Sequence, residues 1–264
     1  MGYSQPSNKM LPKNKIRLIR SLVLKKNRLA EGLFVAEGEK LVIDLIESQL
    51  SLRELFCTQE ILTRLVNINP DLITELKEGE MERITALKST PDIIALFEIP
   101  KRGLNWEEIK DGLSLVLDSV QDPGNMGTII RLADWFGIKN IICSEDCADL
   151  FNPKTVQATM GAIARIKVHY YSIKDFLAKA IKLKIPVYGT FLEGENLFTT
   201  ELTSNGIVVM GNEGKGISKG IEALISRKIK IPPYPENNTG SESLNVAVAT
   251  SIVCAEFRRR IIGV

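Results

Sequence analysis

The chain has 264 residues, 44% of them hydrophobic and 25% charged, with a formal net charge of +2. That is the composition of a globular protein of one large or two small domains, and it excludes a membrane-spanning helix, because no apolar run approaches the length of a bilayer and every long one is broken by charges. Four cysteines and one histidine are too few for a disulfide framework or a typical zinc site. They read as packing thiols in a reducing cytosol, with no metal implied.

The N-terminus, MGYSQPSNKMLPKNK, is basic and lacks the apolar segment of a secretory signal. No acidic residue precedes Glu31, whereas Lys9, Lys13, Lys15, Arg17, Arg20, Lys25, Lys26 and Arg28 are all basic, and Arg258, Arg259 and Arg260 close the chain. Such patches supply phosphate affinity whatever the total charge, or they form solvated helix faces. Ile16, Ile19, Leu22 and Val23 repeat at helical spacing. Phe34–Ala36 is strand-like, Glu37–Gly38 a turn, and Leu41, Val42, Leu45 and Ile46 one face of a second helix. LRELFCT and DIIALFEIP add strands, so residues 1–102 are expected to form a small α/β domain.

PKRGLNW, from Pro100 to Trp106, has the composition of a linker. In residues 103–264, strands are expected at Leu113–Leu117, Asn140–Cys143, Pro186–Gly189, Ile207–Met210 and Lys228–Ile231. Helices are expected at Gly127–Phe136, Asn152–Ile163, Ile173–Leu183, Ser218–Ser226 and Leu244–Arg260. This alternation predicts a parallel sheet covered on both faces, with ligands at the carboxyl ends of its strands. His169, on the alternating stretch RIKVHY, reads as a half-exposed strand residue rather than a base.

Chemistry concentrates in DPGNMGTIIR (Asp122–Arg131), GNEGKGIS (Gly211–Ser218) and ESLNVAVA (Glu242–Ala249). In the first, a turn at Pro123–Gly124 precedes a helix that carries Arg131, and Asn125 and Arg131 lie where an anion would sit. A guanidinium holds phosphate with a forked pair of hydrogen bonds. In the second, Gly211, Gly214 and Gly216 let backbone wrap a flat or anionic ligand. It is not a P-loop, since Ile217 stands where lysine is needed, and its G-x-x-G-x-G order is not the dinucleotide fingerprint. In the third, Glu242 and Ser243 suit the first turn of a helix as dipole partner and cap. Asn237–Asn238–Thr239 matches a glycosylation signal by pattern only.

Taken in order, these stretches resemble the SpoU/TrmH family of RNA ribose 2′-O-methyltransferases, in the SPOUT class. GLFVAEGEKLV resembles the N-terminal substrate-binding domain of many members, itself similar to an RNA-binding ribosomal-protein fold. The resemblance implies an α/β SPOUT domain whose C-terminal segment forms a trefoil knot, which chain-threading rules alone would not give. It implies S-adenosyl-L-methionine as donor, structured RNA as substrate and a homodimer, while the cytoplasmic location is the expectation from the thiols above. Arg131 becomes the catalytic arginine and Asn125 helps place it or the target ribose. Glu213 orients Arg131 or senses the sulfonium, and Ser243 and Asn245 face the active site. Gly189, Thr190, Gly211, Gly214, Gly216, Ile231 and Leu244 border the donor. Pro232–Gly240 looks longer than the family pattern, which bears on Ile231. The extra N-terminal domain favours ribosomal RNA over tRNA. The rival readings are a tRNA 2′-O-methyltransferase, a non-catalytic RNA-binding protein of the same fold, and a nucleotide-binding oxidoreductase, which lacks its glycine fingerprint here.

Overall fold

The structure, a computed structural model, describes residues 10–262 except 66, 78, 236–239 and 241. Lys9, the Asn237–Asn238–Thr239 pattern and the middle of the long loop after Ile231 lie outside the described residues. The chain divides into two compact units, Met1–Lys101 with Asp149–Ala164, and Arg102–Ala148 with Arg165–Val264.

The first unit opens with α1 (Lys13–Ser21) and α2 (Lys25–Glu31), followed by β1 (Leu33–Glu37), α3 (Glu39–Glu47), β2 (Leu52–Cys57), α4 (Gln59–Leu62), β3 (Ile73–Glu75) and β4 (Ile93–Glu98). Its sheet runs β1-β4-β2-β3, antiparallel except between β2 and β3. Ile16 and Ile19 bury one face of α1. The helical repeat read through Val23 stops earlier, at Ser21, because Arg28 reaches back from α2. Its Nη1 donates to the carbonyls of Leu22 and Val23 at 2.7 and 2.8 Å, which satisfies the open end of α1. Arg28 is only 2% exposed and also pairs with Asp149 at 3.0 Å. One member of the basic run is therefore a structural strut. Phe34 on β1 meets Phe97 and Phe151 with ring centroids 5.7 and 4.9 Å apart, and all five residues of β1 are buried, so both of its faces are covered.

The second unit contains α5 (Trp106–Asp111), β5 (Leu113–Leu117), α6 (Pro123–Trp135) and β6 (Asn140–Cys143); α7 (Pro153–Thr159) follows in the chain but groups with the first unit. Then come β7 (Lys167–Tyr170), α8 (Ile173–Lys182), β8 (Val187–Asn196), β9 (Gly206–Met210), α9 (Lys219–Glu222), β10 (Arg227–Lys230) and α10 (Val246–Ile262). The six strands form one parallel sheet in the order β10-β8-β9-β5-β6-β7. The protein is thus an α/β fold, with a six-stranded parallel sheet in one unit and a smaller mixed sheet in the other. Val116, Ile142, Val187, Ile207 and Val209 are buried in one apolar cluster with Phe176 and Leu177 of α8. His169 is buried rather than half exposed, and burial pushes its pKa down. All four cysteines are buried. Among the described residues no helix is long and apolar enough to cross a membrane.

Several element starts differ from expectation. α6 begins at Pro123, with the Asp122 carboxylate accepting from the Asn125 amide at 2.7 Å. Asp-Pro is the preferred cap-and-first-turn pair, so Gly127 lies inside the helix and is buried. α10 begins at Val246, so neither Glu242 nor Ser243 lies in its first turn.

Candidate active site

Strand order locates the site. The chain moves from β5 outward through β6 to β7, then returns to lay β9 on the other edge of β5. The crevice beyond the carboxyl ends of β5 and β9 is where a doubly wound sheet takes a ligand. Leu117 and Met210, the last residues of these strands, are register partners. The loops that follow, which hold Asp122–Arg131 and Gly211–Ser218, are therefore side by side.

Backbone geometry stitches them together. Asp118 N–H donates to the Met210 carbonyl at 2.9 Å, and the Asp118 carboxylate accepts from Ser218 N–H at 2.7 Å. Asn212 donates its side-chain amide to the Ser119 carbonyl at 2.8 Å and accepts from the N–H groups of Gly214 and Lys215 at 3.0 and 3.1 Å. Asn212 and Gly216 also exchange both backbone bonds. The loop is consequently a tight hairpin with Gly216 at φ +69°. A Cβ on Gly211 would lie 2.3 Å from the Gly216 carbonyl carbon, so only glycine fits there. Ser119 sits at φ +61°, a conformation that costs a non-glycine residue energy. Its hydroxyl donates to Asp146 at 2.6 Å, and the Ser119 and Ser144 hydroxyls hold the Asp146 carboxyl below its usual pKa. Asp118, Ser119, Asp146 and Asn212 were missed by motif reading. The available signal was the polar Asp-Ser pair ending a fully apolar strand, and an asparagine among glycines, which readily bonds its own turn.

The three motifs meet through side chains. Asn125 Nδ2 donates to Glu213 Oε1 at 2.8 Å, and Asn245 Nδ2 donates to Asn125 Oδ1 at 3.0 Å. Asn245 also caps α10, its Oδ1 accepting from the N–H groups of Ala247 and Val248 at 2.9 and 3.3 Å. Glu213 thus engages Asn125, and no bond joins it to Arg131. Arg131 is exposed on α6 and, among the described residues, its guanidinium has no hydrogen bond or ion pair. Six residues from Asn125, it lies about 120° around the helix from it, on a stripe with Thr128 and Trp135. Trp135 is 84% exposed.

Ser243 and Leu244 are exposed immediately before α10, and Ile231 is half-buried just past β10. Gly189 and Thr190 lie on β8. A Cβ on Gly189 would come within 2.4 Å of Ile225 Cδ1, and Thr190 Oγ1 donates to the Val209 carbonyl at 3.2 Å. Gly214 and Gly216 are exposed. No cluster of three or more metal-binding side chains occurs among the described residues. The terminal arginines are not a free patch. Arg258 donates to the Phe136 carbonyl at 2.7 Å, closing the end of α6. Arg259 and Arg260 pair with Glu256 at 2.7 and 2.6 Å, which holds that carboxyl down at about 2.

Comparison with known proteins agrees with this layout. The model of the SpoU rRNA Methylase family matches residues 112–255, more than half of the 264-residue chain, and that of an MRM3-like substrate binding domain matches residues 13–95. The 23S rRNA (guanosine(2553)-2′-O)-methyltransferase RlmP of Bacillus subtilis (strain 168) is 29% identical over 250 residues, 92% of this chain and 96% of its own. A Porphyromonas gingivalis structure assigned to the TrmH family of RNA methyltransferases is 40% identical with a TM-score of 0.87, covering 96% of this chain and 100% of that one. An AdoMet-bound rRNA methyltransferase from Sinorhizobium meliloti is 30% identical with a TM-score of 0.83, covering 98% of this chain and 99% of its own. With these matches in both halves, the chain belongs to the SpoU rRNA Methylase family.

Proposed function

We propose that this protein transfers a methyl group from S-adenosyl-L-methionine to a ribose 2′-hydroxyl of structured RNA, with ribosomal RNA favoured over tRNA. The observation that carries this reading is the bonded run Asn245–Asn125–Glu213, which joins three separate sequence motifs at the carboxyl ends of β5 and β9. Residues 103–264 do the transfer, and residues 1–102 grip the RNA. The C-terminal segment adopts the trefoil knot that the family resemblance implies.

The residues present suit the donor. Gly214 and Gly216 are exposed and carry no side chain between ligand and backbone, and Leu244 and Ile231 offer apolar surface for a flat base. When bound, S-adenosyl-L-methionine supplies an electrophilic methyl on a sulfonium. The chain's own groups must hold the ribose hydroxyl in line and stabilise charge as it forms on that oxygen. Asn125, fixed from both sides, positions the ribose; Glu213 places a negative charge facing the donor's cation. A guanidinium is a reluctant base, so Arg131 grips the adjacent phosphate and stabilises the developing alkoxide. Its guanidinium has no hydrogen bond or ion pair among the described residues, which leaves its fork for that phosphate. Alignment of this kind contributes about 7–11 kcal/mol in well-ordered systems.

A homodimer is part of the reading. Trp135, Leu244 and Val248 are large apolar side chains exposed on the second unit, and Trp135 shares a helix face with Arg131. A cytoplasmic location is part of the same reading. The test is to incubate purified protein with unmodified ribosomal RNA transcripts, tRNA and labelled S-adenosyl-L-methionine, and to map 2′-O-methyl sites by mass spectrometry. Label in ribosomal RNA, lost in Arg131→Ala, is the expected result. Donor binding with no label in any RNA would overturn it; label in tRNA alone would move the substrate.

A further inference from the structure

The first unit holds a cavity of about 220 Å³ lined by Ile19, Val23, Val35, Ile84 and Pro153, with Glu37, Thr85 and Arg20 as its main polar groups. It lies below the roughly 300–1,000 Å³ that takes a drug-sized ligand, so it suits one planar ring system rather than a whole nucleotide.

Its polar groups select further. Glu37 is 4% exposed, and no ion pair neutralises it among the described residues. Oε2 accepts from the Thr85 hydroxyl at 2.5 Å, and the Ala86 N–H is shared between Oε1 and Oε2 at 3.1 and 3.3 Å. An ionised carboxylate has about four acceptor positions. Oε1 therefore keeps capacity for an N–H donor arriving from the cavity. Guanine, adenine and cytosine each present an amino N–H on the Watson–Crick edge, whereas uracil flanks a single N–H with acceptors that a carboxylate repels.

The surroundings match a nucleic acid. Lys13, Arg17 and Arg20 are exposed at i, i+4 and i+7 on α1, one basic face ending at the cavity mouth, and their side chains have no hydrogen bond or ion pair among the described residues. Phosphate contacts position a strand while base contacts select it, and RNA is read mainly through bases splayed out of the helix and stacked on aromatic or guanidinium planes. We propose that this cavity receives one extruded base of the RNA substrate, one that carries an amino N–H (guanine, adenine or cytosine) in preference to uracil, with Glu37 reading its N–H edge and Arg20 covering its face. The proposal rests on the RNA-binding reading above and names a selecting site for it, distant in sequence from the transfer chemistry.

The test titrates the full chain with fluorescein-labelled heptanucleotides, a uridine run with guanine, adenine, cytosine or uracil at its centre, by fluorescence anisotropy. Wild-type protein is expected to bind the guanine, adenine and cytosine oligonucleotides about tenfold more tightly than the uracil one. Val23→Trp plugs the cavity from a position that is 49% exposed, so the fold survives, which thermal unfolding checks. It should erase the preference while leaving the salt-dependent affinity shared by all four. Glu37→Gln should erase it as well; if that variant does not fold, Val23→Trp decides alone. Equal binding of all four by wild type, no binding of any, or a preference over uracil that persists in Val23→Trp would each overturn the proposal. Methyl transfer is read separately. An active enzyme without base preference sinks only this site, and a selective but inactive protein sinks only the catalytic reading.

Discussion

Asn245 donates its side-chain amide to Asn125 across 120 residues of chain, at 3.0 Å, while its carbonyl oxygen caps α10. One side chain thus starts the last helix and aims it at the first motif. These two roles separate by substitution. Asn245→Asp keeps the capping oxygen and loses the donor; it should unfold within about 0.5 kcal/mol of wild type yet lose about tenfold or more in kcat. Asn245→Ala removes the cap as well and should cost about 1 kcal/mol. Urea midpoints beside single-turnover methylation distinguish the pair, and an Asp variant with full turnover would mean that the bridge is only structural.

Arg131 shows the opposite pattern. Its exposed guanidinium makes no hydrogen bond or ion pair among the described residues, so Arg131→Ala should leave the melting temperature unchanged and lower kcat by about 10²–10³, the usual loss for a group that stabilises transition-state charge. Arg131→Lys retains charge but not the fork. Near-normal turnover in the lysine variant would remove the bidentate phosphate contact from the mechanism.

The glycine loop makes a steric prediction. Gly211→Ala places a methyl 2.3 Å from one backbone atom of the facing strand and 2.4 Å from another, whereas at Gly214 the nearest atom is 3.7 Å away. Gly211→Ala should weaken donor affinity at least tenfold by calorimetry, with a stability loss of about 1–3 kcal/mol. Gly214→Ala should be nearly neutral in stability. Equal effects at the two positions would show that the hairpin yields.

Stability should fall in acid through Glu256. The guanidinium of Arg259, then that of Arg260, holds its carboxyl near 2 against an ordinary 4.5. The folded state therefore binds that proton less readily than the unfolded chain, and the stabilisation is complete above about 4.5 and lost as pH falls toward 2. In Glu256→Gln the denaturation midpoint should be lower at neutral pH, and its decline across that window shallower. Parallel wild-type and variant curves would refute the assignment.

Arg28 is a buried cation held by Asp149 and two carbonyls. Removing one partner of a buried pair typically costs about 3–5 kcal/mol, and here the carbonyls remain. Asp149→Ala should therefore destabilise by about 2–3 kcal/mol, read as a lowered thermal midpoint, with donor binding by the second unit intact.

The local rules worked where a residue's neighbours in sequence are also its neighbours in space. Ile207–Met210 reads as a buried strand because both faces of a covered parallel strand are apolar, and Gly211 after it announces close backbone approach. Asp122–Pro123 carries a helix start in its own chemistry, so the later start expected for α6 was a misreading of a legible signal. The Arg258–Arg260 cluster looks like an RNA patch by composition, although Glu256 at helical spacing already offers it a partner. Choosing Asn245 over Ser243 as the cap was not local, since both residue types cap helices well.

The sequence by itself determined the alternation of strand and helix, the chemistry available in each motif and, through resemblance, the family. Only the tertiary structure decided which of those groups touch: that Glu213 faces Asn125 rather than Arg131, that Asn245 closes the line, and that Glu37 sits beneath a basic helix face. The physical reason is that hydrogen bonds between groups some hundred residues apart are fixed by sheet order and loop register, which no window of neighbouring residues encodes.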